Sequence, residues 1–137
     1  MGLEAACSGF CRELAQQHNV KIDFRAQGIP EALPNEISLC LFRVMQDSLH
    51  NAVQYSGVSE CEVSLIVAAN EIQLSVRDSG VGFDTEVVSR GSGPGLISTK
   101  QRLRLVDGQL SVESHPQRGT TVIARVHFPT TAVGAVA

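Results

Sequence analysis

Apolar residues recur along this chain with two spacings, one typical of amphipathic helices and the other of half-buried strands. Helical spacing predicts helices over Leu3–Gln17, Glu36–Tyr55 and Leu96–Val106, with a short helical turn over Asp84–Arg90. The order of all the elements favours a layered α/β sandwich with its helices on one face of a sheet. Alternation of apolar and polar residues predicts five strands, Val20–Ala26, Cys61–Ala68, Ile72–Arg77, Gln109–Ser114 and Thr120–Phe128.

The segments between these elements are rich in turn-forming residues. Ala69-Asn70-Glu71 predicts the turn of a hairpin between the second and third strands. Gly57 is placed to cap the end of the longest helix, and Asp107-Gly108 is placed to end the helix predicted over Leu96–Val106. The run Gly91–Gly95 contains only Gly, Ser and Pro, which predicts an irregular loop. We expect one domain over residues 1–128 and a flexible tail over 129–137, where no periodicity remains.

The composition fits a single soluble domain with an aliphatic core. Of the 137 residues, 43% are hydrophobic and 18% are charged, whereas aromatic residues make up 4% and Trp is absent. The formal charge of −3 argues against binding of DNA or RNA through an extended basic surface, because such binding depends on neutralising phosphates. No apolar run approaches the roughly 18 residues that span a bilayer. The N-terminus lacks the basic segment and the apolar segment of a signal peptide. We expect a cytoplasmic protein that contacts neither nucleic acid nor membrane.

The cysteines do not follow the spacing of a metal or disulfide motif. They include no C-x-x-C pair and no following His at the spacing of zinc ligands. Packing in the core is the preferred interpretation over metal or disulfide chemistry, and it fits a reducing compartment. The four residues are Cys7, Cys11, Cys40 and Cys61.

A carboxylate followed by two glycines ends the third predicted strand, in the pattern Asp-x-Gly-x-Gly formed by Asp78, Gly80 and Gly82. An aspartate held at a strand end can accept a hydrogen bond from the amino group of a nucleobase. Glycines allow the backbone to approach a flat ring. The pattern therefore outlines an adenine pocket, although Asp-Ser-Gly is also a common sequence in turns.

Asp47 and Asn51 lie four residues apart on the longest predicted helix, so their side chains project from one face. A magnesium ion bound to a nucleotide takes few protein oxygens, which an Asn amide and a nearby carboxylate can supply. The alternative is that both residues are ordinary solvated helix positions.

Two further segments fit a nucleotide site without specifying one. Gly93 and Gly95 precede Leu96 at the start of a predicted helix, where backbone N–H groups can meet phosphate oxygens. The same glycines suit a mobile lid or a simple helix cap. Thr120 follows a predicted hairpin turn and begins the last strand, which is a common place for threonine.

The order and spacing of these motifs are more specific than any one of them. An Asp/Asn helix is followed by a hairpin that ends in Asp-x-Gly-x-Gly, by a Gly-rich loop that opens a helix, and by Gly-Thr between the last two strands. In this order the chain resembles the histidine-kinase ATP-binding domain of the GHKL ATPase superfamily, from about Leu3 to Phe128. It looks most like the sensor kinases paired with LuxR-type response regulators, through the segments Leu41–Ala52 and Gly95–Arg102.

The resemblance implies a Bergerat-type ATP-binding fold, a two-layer α/β sandwich of a mixed sheet and three helices. It implies that Asn51 binds the phosphate-chelated magnesium ion and that Asp47 replaces an acidic residue that orients the reacting groups. Asp78 would accept a hydrogen bond from the adenine amino group. The other implied nucleotide contacts are Gly80 and Gly82 beside the ring, Gly93, Gly95 and Leu96 over the phosphates, and Thr120 in support of the adenine contacts.

Three positions depart from the family's pattern. The family usually carries Glu where Asp47 stands, and the shorter side chain reduces the reach of the carboxylate. Basic or His residues commonly follow the Asn by three and four positions, where this chain has Gln54 and Tyr55. Lys100 or Arg102 could supply the positive charge instead, or Arg102 could be a structural ion-pair partner.

By similarity, the expected reaction transfers the γ-phosphoryl group of ATP to a His on an upstream dimerisation domain absent from this chain. An Asp on a response regulator would then accept it. The expected cofactors are ATP and Mg²⁺, and we expect a catalytic fragment that is inactive without its acceptor domain, from a parent protein that could carry a membrane anchor. The alternatives are an anti-sigma-type serine kinase, a related GHKL ATPase, or a degenerate module that binds a partner without catalysis.

Overall fold

The computed structural model describes residues 2–29, 33–55, 60–78, 96–115 and 119–127, with the side chains at positions 51, 54, 55, 96–98, 114 and 115 outside that description. Within these ranges three helices and five strands follow one another in the predicted order. Their bounds are α1 Leu3–His18, β1 Lys21–Gln27, α2 Asn35–Tyr55, β2 Glu60–Ala68, β3 Glu71–Asp78, α3 Leu96–Arg104, β4 Gln109–His115 and β5 Gly119–His127.

α2 is the longest of the described helices and begins within one residue of its predicted start. The carbonyl oxygen of Pro34, just before the helix, accepts hydrogen bonds from the N–H groups of Ile37 and Ser38 at 3.1 and 3.0 Å. Its apolar stripe is buried, as the spacing predicts, with Leu41 and Leu49 fully inaccessible. Among the helices that the structure describes, none has both the length and the apolar content to cross a bilayer.

Regular helical hydrogen bonding in α3 ends at Arg104, two residues before Val106, and the chain turns away at Asp107-Gly108, where the sequence predicts the stop. Asp107 adopts a left-handed conformation with φ of 55°. The N–H of Gly108 donates to the carbonyl oxygen of Leu103 at 2.7 Å. This combination is a Schellman arrangement, which satisfies the last carbonyl groups of a helix while it turns the chain away. Val106 still packs against the core although it lies beyond the helix.

The five strands form one mixed sheet in the order β1-β2-β3-β5-β4. β1 pairs with β2 in parallel, and the other three pairings are antiparallel. β5 therefore lies between β3 and β4, although it follows both in sequence. This arrangement, with three helices on one face, confirms the predicted two-layer α/β sandwich.

The hairpin between β2 and β3 has a turn of two residues, Ala69 and Asn70, rather than the predicted three. Both residues have positive φ, 52° and 64°. Two-residue turns with this backbone match the right-handed twist of paired strands. The shorter turn shifts the register by one residue, so Cys61 rather than Glu62 lies opposite Asp78.

The core lies between the helices and one face of the sheet. β2, β3 and β5 bury every second residue on this face, mostly aliphatic side chains. All four cysteines are buried there as free thiols, which confirms their expected packing in the core. The opposite face is polar: Arg125 donates to Gln73 at 3.3 Å and forms an ion pair with Glu71 at 3.9 Å.

Candidate nucleotide-binding site

Three side chains from adjacent strands lie in a row at one end of the sheet, Cys61 on β2, Asp78 on β3 and Thr120 on β5. Asp78 is the last residue of its strand, and the other two are its cross-strand neighbours. Neighbours of this kind point to the same face of a sheet, with Cβ atoms about 5 Å apart. The residues are buried, with exposures of 2%, 7% and 6% respectively. We refer to this set as the Asp78 row.

The strand pattern explains why a carboxylate is buried at this position. Ile72, Leu74 and Val76 are the preceding buried residues of β3, and Asp78 continues their alternation. A charged group in an apolar layer is costly unless other groups interact with it. Asp78 and Thr120 both have interaction partners in the structure. The sheet thus holds a carboxylate at a defined place where an aliphatic side chain would be the default.

The thiol next to Asp78 is protonated at neutral pH. Burial raises the pKa of the Cys61 thiol to about 12, and the nearby carboxylate of Asp78 and, once ionised, the thiol of Cys11 act in the same direction. Burial also raises the pKa of Cys7 to about 12 and that of Cys11 to about 11. Because the thiolate is the reactive form, these groups are chemically inert near pH 7.

Asp47 forms an ion pair with Arg102, which connects α2 to α3. The Nε atom of Arg102 lies 3.9 Å from Oδ2 of Asp47, and the two side chains are 44% and 31% exposed. The ion pair is one of the two roles that the sequence left open for Arg102. α2 also packs against β3 and β5, the strands that carry Asp78 and Thr120.

The remaining predicted site residues are described only in part or not at all. Asn51 follows Asp47 by about one turn in α2, but its side chain lies outside the described residues. The side chain of Leu96, the first residue of α3, is also outside them. Other sequence predictions that fall entirely outside the described ranges concern Gly57, Gly80, Gly82, the turn at 84–90, Gly93, Gly95 and the tail at 129–137.

The donor groups on α2 suit a magnesium ion that arrives with a nucleotide. Over the described ranges, no group of three or more His, Cys, Asp or Glu is arranged to hold a metal ion by itself. Magnesium bound to phosphates needs only one or two protein oxygens. The carboxylate of Asp47 is an oxygen donor of the required kind, and Asn51 follows it by four residues in the sequence.

Sequence reasoning missed the position of Cys61 beside Asp78, although the alternation contained the signal. The buried residues of β2, such as Val63 and Leu65, have odd numbers, whereas those of β3 have even numbers. Two antiparallel strands can present these residues on one face only when an even number of residues connects them. A two-residue turn satisfies this condition and places Cys61 opposite Asp78.

Comparison with known proteins identifies the family. The family model described as histidine kinase-, DNA gyrase B-, and HSP90-like ATPase matches residues 36–131. The oxygen sensor histidine kinase NreB of Staphylococcus carnosus is 32% identical over 126 residues, which cover 92% of this chain and 36% of that protein. The chain thus spans about a third of the length of this curated relative.

Solved structures share the fold at lower sequence identity. The histidine kinase domain of a blue-light activated histidine kinase from Erythrobacter litoralis has a TM-score of 0.76 at 17% identity, covering 97% of this chain and 64% of that one. The ATP binding domain of PrrB from Mycobacterium tuberculosis has a TM-score of 0.70 at 19% identity, covering 94% and 96%. On the family model and the identity to NreB, the chain belongs to the histidine kinase-, DNA gyrase B- and HSP90-like ATPase family.

Proposed function

We propose that this chain is the ATP-binding catalytic domain of a sensor histidine kinase. The observation that carries the proposal is the buried carboxylate of Asp78, held at the end of β3 in a chain of this ATPase family. The domain would span residues 1–128. The anti-sigma-type kinase and the non-catalytic module are less favoured, because the curated relative NreB is a sensor histidine kinase.

Adenine recognition would depend on the Asp78 row. The carboxylate of Asp78 would accept a hydrogen bond from the 6-amino group of adenine, with Thr120 beside it and Gly80 and Gly82 next to the ring. Guanine presents a carbonyl oxygen at the same place, so two acceptors would face each other. Because an unpaired acceptor in a buried site is costly, this arrangement would select ATP over GTP.

The phosphates would lie near α2 and the start of α3. Asn51 would contribute an amide oxygen to Mg²⁺, and Gly93, Gly95 and Leu96 would direct backbone N–H groups at phosphate oxygens. When bound, Mg²⁺ neutralises charge on the phosphates. Asp47 would accept the N–H of the attacking imidazole and hold the other ring nitrogen towards the γ-phosphorus. Phosphoryl transfer depends mainly on such positioning and charge neutralisation.

The acceptor His and the response regulator would be supplied outside this chain. We propose that the His lies on a dimerisation domain of the parent protein, and that an Asp of a LuxR-type response regulator takes the phosphoryl group from it. The catalytic domain would work in the cytoplasm, whether or not the parent protein is anchored in a membrane.

Titration calorimetry with Mg²⁺ and a non-hydrolysable ATP analogue tests the binding site. We expect saturable binding to the wild-type chain. Asp78→Ala should weaken it by about tenfold to a hundredfold, because a hydrogen bond to a charged group is lost. Asn51→Ala should weaken it only when Mg²⁺ is present. Asp23→Ala, which removes an exposed carboxylate from β1, is the matched control and should have no effect. Absence of binding at millimolar analogue would overturn the proposal.

A second experiment separates the histidine kinase from the serine kinase. The parent protein is incubated with ATP labelled at the γ-phosphorus, and the labelled product is exposed to acid and to alkali. Phosphate on an imidazole nitrogen is lost in acid and survives alkali, whereas phosphoserine behaves in the opposite way. We expect the acid-labile product, and an acid-stable one would favour the anti-sigma-type alternative.

A further inference from the structure

We propose that Cys61 is a positioning residue for adenine recognition, which holds the Asp78 carboxylate from the side opposite Thr120. The inference rests on the proposed function, because it assigns Asp78 to the adenine amino group. The thiol of Cys61 would act on Asp78 and need not contact the nucleotide.

The Asp78 row is a polar layer at the end of an otherwise aliphatic sheet face. Each of its three strands buries aliphatic residues at the other positions on that face. At the end of the sheet, each strand instead buries a residue with a thiol, a carboxylate or a hydroxyl group. On β2 the thiol of Cys61 precedes Val63 and Leu65, and on β5 the hydroxyl of Thr120 precedes Val122. Cys61 and Thr120 are the cross-strand neighbours of Asp78. This coincidence of a thiol, a carboxylate and a hydroxyl at one level is the observation that singles out Cys61.

The chemistry of the thiol suits this role. Burial and the neighbouring carboxylate raise the pKa of Cys61 to about 12, so the group keeps its proton at neutral pH. A protonated thiol is a weak hydrogen-bond donor, and a carboxylate is an acceptor with two oxygens. A donor on each side of Asp78 would fix the rotation of the carboxylate, which leaves one lone pair directed at the base. An aliphatic residue at position 61 would leave that rotation free on the β2 side.

Two substitutions at this position separate the effect of the hydrogen-bond donor from the effect of side-chain shape. Cys61→Val is larger by about one methyl group and suits a strand, but it cannot donate. We expect it to weaken ATP binding by about threefold to tenfold, less than the loss of a full hydrogen bond to a charged group. Cys61→Ser restores a donor and should bind ATP within about twofold of wild type. Cys61→Ala replaces the valine variant if thermal unfolding shows that the latter does not fold.

A nucleotide without the amino group shows whether Cys61 acts through Asp78. Purine riboside triphosphate lacks the 6-amino group of ATP and should bind the wild-type chain more weakly than ATP does. Cys61→Val should lose affinity for ATP and leave the affinity for this analogue unchanged. A general disturbance of the site would instead weaken both nucleotides by the same factor. Cys40→Val, which alters a buried thiol on α2 beside the charge of Arg102, is the control and should change neither affinity.

The outcomes distinguish this inference from the proposed function. If the wild-type chain binds ATP and purine riboside triphosphate equally, Asp78 does not read the amino group, so its adenine role and the role of Cys61 both fail, although the chain still binds ATP. If the wild type prefers ATP and Cys61→Val keeps the whole preference, only the role of Cys61 is overturned. Equal losses for the two nucleotides, or a serine variant no better than valine, would overturn it as well.

Discussion

The Asp78 row and the Asp47–Arg102 pair place carboxylates in very different surroundings. Asp78 is buried in the sheet among cross-strand neighbours, whereas Asp47 is about one-third exposed and has its cationic partner on another helix. The backbone of three strands fixes the first carboxylate. The second depends on two long side chains that water can reach. Asp78 and Thr120, the described residues predicted to contact the base, are therefore buried, whereas Asp47, predicted to lie near the reacting phosphate, is partly exposed.

This difference predicts how substitutions act. A change in the Asp78 row alters packing and polar contacts in a water-poor layer, so stability and binding should change together. A change in the Asp47–Arg102 pair alters an interaction that solvent screens, so function should change with little effect on folding. The comparison can therefore be tested by measuring unfolding separately from nucleotide chemistry.

The largest effect should come from alkaline pH, which acts on the buried side of the comparison. In the folded chain the pKa is raised to about 12 for Cys7 and Cys61 and to about 11 for Cys11. Exposed thiols of the unfolded chain ionise near pH 8.5. Below that pH both states hold the protons. Above it only the unfolded state releases them, so each thiol should lower the free energy of unfolding by about 1.4 kcal/mol per pH unit.

Urea unfolding in the presence of a reductant, repeated from pH 8 to pH 10, measures this dependence. Cys61→Val should remove between about a quarter and a third of the slope, since it removes one thiol with a raised pKa and the pKa of Cys40 is raised by burial as well. Arg and carboxylate groups keep their charges over this range and do not contribute. A free energy of unfolding that stays constant to pH 10 would show that the thiols ionise as readily in the folded chain.

Much of the sheet was predictable because its alternation is regular. The burial of Val63, Leu74 and Val76 follows from period-two patterning, and so does the position of Asp78 on the same face. The error lay in the hairpin turn, where Glu71 was assigned to the loop. Ala is unusual at the positive φ that this turn requires, so the residue types of the turn gave a weak signal. The register followed only from the need to bury the apolar residues of β2 and β3 on the same face of the sheet.

The site was less predictable than the fold because it combines distant parts of the chain. The contact between Asp47 and Arg102 joins two helices, and no local pattern specifies which charged residues will meet across them. The end of α3, by contrast, was predicted from local signals. Asp107-Gly108 follows the last apolar position, and the left-handed conformation of Asp107 turns the chain away there, although regular helical hydrogen bonding ends at Arg104.

A smaller effect should follow from Gly108→Ala, at the buried end of the helix that carries Arg102. A Cβ atom at this position would lie 2.9 Å from Cδ2 of Leu103, 3.0 Å from Cγ2 of Val126 and 3.1 Å from the carbonyl oxygen of Arg125. The backbone oxygen cannot move aside as a flexible side chain can. We expect a loss of about 1 to 3 kcal/mol in the free energy of unfolding, as for other overpacked sites.

Gly9→Ala is the matched control for this substitution. Gly9 lies inside α1, and a Cβ atom there would meet nothing within 4 Å. Alanine should therefore stabilise the chain by about 0.5 to 1 kcal/mol, because it loses less backbone entropy in a helix. Chemical unfolding of both variants measures the two effects, which should have opposite signs. Equal behaviour would mean that the end of α3 is not tightly packed.

The smallest effect on folding should come from the Asp47–Arg102 pair. We expect Asp47→Asn and Arg102→Gln each to change the free energy of unfolding by less than about 0.5 kcal/mol, with a coupling energy below about 1 kcal/mol in the double-mutant cycle. The coupling should vanish in 1 M salt, because the charges are partly solvated. In the parent protein, Asp47→Asn should nevertheless reduce phosphoryl transfer strongly. A coupling that is large and insensitive to salt would show the pair to be as fixed as the Asp78 row, and the contrast between the two carboxylates would then disappear.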